Sequence, residues 1–524
     1  MSVASTTAAR MTPAARSTEH ALLVPLGHFA AQIGVLEALQ HVPFRMKTIT
    51  HRPGDKLGEL LAHILAGGMH VQELVASPQP LVDDRAVAAA WGQDAFASAS
   101  GVNALLRAAT PESVAALQTE LRRVSEPYRR RVLRDLSPSW LVVDFDLTGL
   151  VVSDQATTYE GAEYGYMGEV DGPAKGYQFA RAQVQGRRDV LLLGGFLHPG
   201  RTVSVQCLAE LVALVEQQLG RPRRRVEAVA ARLAEAEQAL ATVEQALARR
   251  ASGPAAQRRH TQRLQTQRER HEAQVTALRA RYDALVADNA SNAAPRRIIL
   301  RLDGGFGDAA AVAWLYEQGY DFVLRAHNHR VAATMRTEAG LTWDKVSKNG
   351  FIAESGRTTL GTCPYPMRLF ACRQWRGDDR PERWSALVVN PELAAADWPA
   401  RRVGVFYNHR QVAEASIKEG KGIFASRHLP TRHQAGIALY QELVLLAQNL
   451  LRWFRRQFLG PTPLATAGIQ ELVRIAAHSR ALLTASGLRF ATASRWPGLT
   501  VPLRRSLGFQ LWFPFLEDPA LRPG

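Results

Sequence analysis

Residues 141–152, LVVDFDLTGLVV, decide how the chain is read. Apolar and polar residues alternate there, with Val143, Phe145 and Leu147 on one face and Asp144, Asp146 and Thr148 on the other. Period two marks a half-buried β-strand. Two carboxylates on so apolar a strand are costly unless cations meet them. Solvation along an edge strand is the plainer way to satisfy them.

Working outward, KGYQFARAQV (175–184) reads as a second strand and RDVLLLGGFL (188–197) as a third. The helix SVQCLAELVALVEQQLG (204–220) follows, with Ser204 as its N-cap. Three strands and a helix open several α/β folds. RRIILRLDGG (296–305) resumes the core as a strand closed by Asp303, before the helix of residues 308–319 and the strand YDFVLRA (320–326). Asp-Gly-Gly after a strand makes a turn. It also sits at the C-terminal end of a buried strand, where α/β folds place their chemistry. Asp308 is in place to cap the next helix.

Between these blocks lies a heptad pattern. Val226, Val229, Leu233, Ala236, Leu240, Val243 and Leu247 recur in steps of three and four, and after ASGPAA so do His271, Val275, Leu278, Tyr282 and Leu285. The pattern predicts an antiparallel helical hairpin over 221–289 with basic outer faces, Arg223–Arg225 and Arg258–Arg259 among them. Such an arm can brace a dimer, lie along DNA or serve as a spacer. Upstream, residues 21–136 read as helices. DDRAVAAAWG (83–92) has Asp at its start and Gly at its end, and Ser98 and Ser100 lead into a helix carrying Arg107. A helix-turn-helix reader and a plain helical bundle both fit. Residues 331–400 read as short β-like segments rich in turns.

The 524 residues hold 64 Lys and Arg against 48 Asp and Glu, a net charge of +16. That excess draws polyanions, nucleic acid first among them. Cys207, Cys363 and Cys372 form no C-x2-C pair, which excludes a zinc knuckle and a disulfide framework and suits a reducing cytoplasm. The apolar runs fall short of a membrane span. The first twenty residues read as a disordered tail without a signal-peptide core.

YNHRQVAEASIKEGK (407–421) supplies a third acid. On one continuous helix Tyr407, Arg410, Glu414 and Lys421 share a stripe about 60° wide. A solvated face with an Arg410–Glu414 pair gives the same spacing. Two aspartates and a glutamate from separate elements suit two-metal phosphoryl transfer, because hard cations take carboxylate oxygens.

With these residues on the page, the chain resembles the bacterial insertion-sequence transposases of the DDE class with the Tyr-x2-Arg-x3-Glu-x6-Lys signature. YNHRQVAEASIKEGK matches that signature at each fixed position, DFDLTG resembles the family's first-aspartate strand, and LDGGF its second-aspartate motif. KGYQF and LLAQNLLRWF also resemble family segments. The resemblance implies an α/β, RNase H-like mixed-sheet core with a β-rich insertion; the helical N-terminal domain and the coiled-coil hairpin insertion read above complete the expected architecture, and the hairpin departs from the family pattern. It implies that Asp146, Asp303 and Glu414 hold two Mg2+ ions, with Mn2+ able to substitute. Tyr407, Arg410 and Lys421 would contact DNA phosphates. Asp146 is preferred to Asp144 because the family motif reads Asp-x-Thr/Ser.

The implied activity is strand cleavage and strand transfer at insertion-sequence ends. The partners are double-stranded DNA (terminal inverted repeats and target) and a second copy of the chain in a synaptic complex, on the cytoplasmic nucleoid and away from membranes. The expected division is a tail (1–20), a helical end-binding domain (21–136), core parts at 137–220, 290–330 and 401–460, the hairpin (221–289), the β-rich insertion (331–400) and a C-terminal region (461–524). Another RNase H-like nuclease or resolvase, or a domesticated DNA-binding protein without catalysis, shares these features.

Overall fold

The computed structural model describes residues 17–47, 50–136, 140–153, 155, 158–168, 172–186, 190–249, 258–375, 377, 381–460, 462–474, 476–484, 487–491 and 500–501. Strand β1 (Ser17–Thr18) precedes helices α1 (Leu23–Gln32), α2 (Val35–Gln40), α3 (Pro53–Leu65), α4 (Glu73–Ala76), α5 (Arg85–Ala90), α6 (Ala99–Ala108) and α7 (Pro111–Leu136). Strands β2 (Leu141–Val151), β3 (Glu163–Tyr166), β4 (Pro173–Gln185) and β5 (Val190–Pro199) come next, then α8 (Ser204–Leu219), α9 (Val226–Ala248) and α10 (Arg258–Ala290). The chain continues through β6 (Ile298–Leu302), α11 (Ala309–Glu317), β7 (Asp321–Arg325), α12 (His329–Arg336), β8 (Asp344–Lys345), β9 (Gly350–Glu354), β10 (Arg368–Gln374) and β11 (Arg383–Val389). It closes with α13 (Ala400–Asn408), α14 (Gln411–Gly422), α15 (Gln434–Phe454), α16 (Ile469–Arg474), β12 (Ala481–Thr484), β13 (Gly487–Phe490) and β14 (Thr500–Val501). No helix among the described residues is long and apolar enough to cross a membrane. Mixed α/β structure built on a mixed sheet is the fold class expected from the sequence.

Two units divide the chain: one takes Met1–Asp135, Asp146–Val203 and Gln411–Gly524, the other Leu136–Phe145 and Ser204–Arg410. In the second, residues 141–144 of β2 pair in parallel with β6, and β6 in parallel with β7. Their apolar side chains are buried on both faces, as parallel strands require. β7 then pairs antiparallel with β11, and the ladder continues through β10, β9 and β8. The β-rich stretch read at 331–400 extends the same sheet beyond β7, and its first residues form a helix, α12. The reason is burial: Ile352, Phe370, Leu387 and Val389 share a core with Ile299 and Val323.

The heptad residues do what their spacing demands. Val229 and Ala236 of α9 pack with Val275, Leu278 and Leu285 of α10, flanked by Val226, Leu233, Leu240 and Tyr282. ASGPAA lies outside the described residues. The hairpin's base is tied to its own unit by arginines. Arg224 meets Glu216 and Asp288, Arg225 meets Asp321, and Arg232 meets Glu317.

In the first unit, β4 pairs with β3 and β5, and Val152, just past β2, donates to the Lys175 carbonyl of β4. α15 is buried around most of its circumference, and its polar side chains replace solvent for the backbone beside it. Asn449 accepts from the Leu192 amide at 3.0 Å and donates to the Leu192 carbonyl at 2.9 Å, while Glu442 accepts from the Gly195 amide at 3.1 Å. Asp84 caps α5 through the Val87 amide, and Ser98 caps α6 through Gly101. The expected tail ends before residue 20. Ser17–Thr18 pairs with Ala481–Leu482, and Thr18 and His20 are buried on Asp84, because these polar groups find partners there. Residues 1–16 and 502–524 lie outside the described residues.

Candidate active site

β2 carries its two aspartates to opposite fates. Register sets Asp144 against Arg301 of β6, and the pair closes inside the second unit. Nε and Nη2 of Arg301 donate to the two carboxylate oxygens, each at 2.8 Å, and both side chains are 1% exposed. This is the cation that an aspartate on an apolar strand needs. Asp146, two residues on, is half-buried and accepts from the Thr148 hydroxyl at 2.8 Å within the first unit.

Asp303 ends β6 at a tight turn. Its Oδ1 accepts from the Gly305 amide at 2.9 Å, capping the short 3-10 turn Gly304–Phe306. Gly307 is required by close approach: a Cβ there would come within 1.9 Å of the Arg325 carbonyl. Asp303 thus makes the turn while keeping 35% of its side chain exposed, and its Oδ2 lies 3.4 Å from Nη2 of Arg410. Asp308 caps α11 through the Ala311 amide at 2.7 Å, as its position predicted.

The stripe expected on one helix is not formed. α13 ends at Asn408, Arg410 sits in the turn that follows, and α14 begins at Gln411. The Arg410 amide reaches back three residues to the Tyr407 carbonyl, which ends the four-residue ladder. Its guanidinium turns inward to Asp303 and the Phe145 carbonyl, leaving the residue 7% exposed. Tyr407 therefore belongs to one helix, and Glu414 and Lys421 to the next. Tyr407 packs against the sheet core, and burial raises its phenol pKa against the pull of Arg325 and Arg410. So the second unit brings Asp303 and Arg410 together, with Tyr407 on the helix before the turn.

In the first unit Glu414 is exposed in the first turn of α14, where the helix dipole favours a carboxylate. Lys421 stays helical between its glycines, since α14 runs on to Gly422. Gly420 is there for packing: a Cβ would crowd Nε2 of Gln448 on α15 at 3.2 Å. Gln448 donates to the Ser416 carbonyl at 2.9 Å, Arg452 pairs with Glu419, and Arg181 of β4 donates to the Ala413 carbonyl at 3.4 Å. These contacts fix α14 and so the backbone that carries Glu414.

Arg301, Arg181 and Gln448 were missed as supports of the site. Arg301 had a visible signal, a lone cation in the apolar run IILRL matching the surplus aspartate of DFD. Arg181 and Gln448 had none, since their partners are backbone carbonyls far away in sequence. Asp303 of the second unit is partly exposed, as is Asp146 of the first, and Glu414 is exposed; each offers carboxylate oxygens, the ligand type a hard divalent cation takes.

No curated protein matches the chain. Residues 263–498 match the family model described as transposase DDE domain, group 1. The matched stretch holds Asp303, Tyr407, Arg410, Glu414 and Lys421 and starts downstream of Asp146. Over that stretch the chain is similar to the transposase DDE domain.

Proposed function

We propose that the protein cuts DNA at the ends of an insertion sequence and joins the freed strands to target DNA. The observation that carries this is Asp303, held half-open beside Arg410 at the end of β6 within the matched transposase domain. On this reading the core is RNase H-like. The parallel β2–β6–β7 ladder of one unit and the β5–β4 pairing of the other support it. The hairpin and the β-rich stretch are then insertions into that core.

Asp146, Asp303 and Glu414 are the residues that would hold two Mg2+ ions, or Mn2+ in their place. Bound there, the ions supply Lewis-acid stabilisation to the attacking and leaving oxygens of an in-line displacement. The chain's own groups do the rest. The Gly305 amide fixes one oxygen of Asp303 and so aims the other. Arg410, turned inward, offsets the charge on Asp303. Tyr407, its pKa raised by burial, keeps its phenolic proton for donation. Lys421 adds a point charge for the same strand. The helical region 21–136 recognises the terminal inverted repeats. Two copies of the chain join in a synaptic complex with target DNA on the nucleoid.

The test is Mg2+-dependent cutting of a terminal-repeat duplex by the wild type and by Asp303→Asn. Cutting is expected to vanish in the variant while end binding persists. Cutting that survives the substitution defeats the reading. Equal cutting of random duplex turns it into a resolvase-type nuclease.

A further inference from the structure

We propose that one flank of α10 binds the phosphate backbone of double-stranded DNA, away from the catalytic acids. The choice of DNA as the polyanion rests on the function proposed above. α10 spans 33 residues, and at 100° per residue Arg263, Gln267, Arg270, Gln274 and Ala277 fall within about 80° of one another. This line lies about 90° from the seam of Leu264, Val275, Leu278 and Tyr282 that faces α9. Its first acid is Asp288, at the base of the hairpin and already paired with Arg224.

Arg263 and Arg270 are exposed, and among the described residues neither has an ion-pair partner. The other flank is different: Arg268 pairs with Glu272 at 3.5 Å, and Arg279 pairs with Glu237 of α9. One side of the arm is self-neutralised; on the other, Arg281 near the base pairs with Glu317, and further out Arg263 and Arg270 have no ion-pair partner among the described residues. An exposed arginine surrounded by alanine and glutamine gains nothing from its own chain. A polyanion satisfies it, with release of counterions.

The arm is also fixed in place within its unit. Arg225 ties the start of α9 to Asp321 at the N-terminal end of β7, whereas Asp303 closes the C-terminal end of the parallel neighbour β6. The hairpin thus roots at the opposite end of these strands from Asp303. Arg263 and Arg270 stand about 38 and 27 Å along the helix from Asp288. A stiff arm holding its charges at that remove grips DNA without touching the phosphodiester at the site.

The experiment compares the full chain, R263Q/R270Q and R268Q/R279Q for binding to a labelled terminal-repeat duplex across a salt titration. Losing two phosphate contacts is expected to flatten the slope of log Kd against log salt by about 1.8, and to weaken binding about tenfold at physiological salt. R268Q/R279Q is expected to change Kd by roughly twofold at most. Unchanged binding by R263Q/R270Q, an equal loss in R268Q/R279Q, or a loss seen only with RNA of the same length overturns the proposal. Cutting is scored separately. A chain that never cuts but shows the flank-specific loss keeps this inference and loses the catalytic one. A chain that cuts, with binding unchanged in R263Q/R270Q, does the reverse.

Discussion

Among the aspartate–arginine pairs of the second unit, two near the end of the parallel β2–β6 pairing differ in geometry. Asp144–Arg301 is bidentate at 2.8 Å with both partners 1% exposed. Asp303–Arg410 is 3.4 Å apart, and Asp303 keeps 35% of its side chain exposed. The first pair is closed, with its oxygens aimed at one guanidinium. The second leaves carboxylate surface for another cation. Burial, not residue type, separates the pair that holds the sheet from the pair fit for chemistry.

The largest effect breaks that comparison at its open end. Asp303→Asn is expected to reduce Mg2+-dependent cutting on the order of 10³-fold. Its urea midpoint should remain that of the wild type. A parallel loss of stability would make Asp303 structural after all. Asp144→Asn tests the closed end. It strands Arg301 without its charge partner and is expected to cost about 3–5 kcal/mol of stability by denaturant unfolding. Asp144→Leu combined with Arg301→Met should recover most of that loss, because an apolar pair needs no mutual neutralisation.

A buried acid that pairs with no cation among the described residues sharpens the contrast. Glu442 of α15 is met by the neutral donors of Gln118 and Gly195, and burial raises its pKa to about 7. A raised carboxyl pKa favours folding below the unfolded value of 4.5, and the benefit is lost as pH rises through 7. Glu442→Gln should therefore remove roughly 3 kcal/mol of destabilisation between pH 5 and pH 8. Thermal melts at the two pH values check it, and identical pH dependence in wild type and variant refutes it. The smallest effect is expected in the hairpin. Leu278→Ala should loosen the hairpin by about 2 kcal/mol, read as hydrogen exchange in α9 and α10. Cutting of a short end duplex should be unchanged.

Legibility tracked the length of the pattern. The hairpin repeated its spacing over two arms, and a register sustained that long has one geometric solution. YNHRQVAEASIKEGK offered four marked residues over about four helical turns. That was too little to show that Arg410 would be drawn inward and would end α13. The β-rich stretch shows the same limit. Short strands are visible locally, but which edge they join depends on burying Ile352 and Phe370 against Ile299. Ser17–Thr18 lacked any pattern, and its strand exists because Ala481–Leu482 offers it a ladder.

By itself the sequence determined what local periodicity and chemistry fix: the β2 and β6 strands, the hairpin seam, the cap of Asp308 and the basic charge. Tertiary structure alone decided which aspartate of β2 is sealed, where the helix carrying Tyr407 stops, and which groups hold α14. The physical reason is that those outcomes depend on partners remote in the chain. Arg301 lies 157 residues from Asp144, and Asp303 lies 107 residues from Arg410. Local spacing carries no record of pairings that only burial selects.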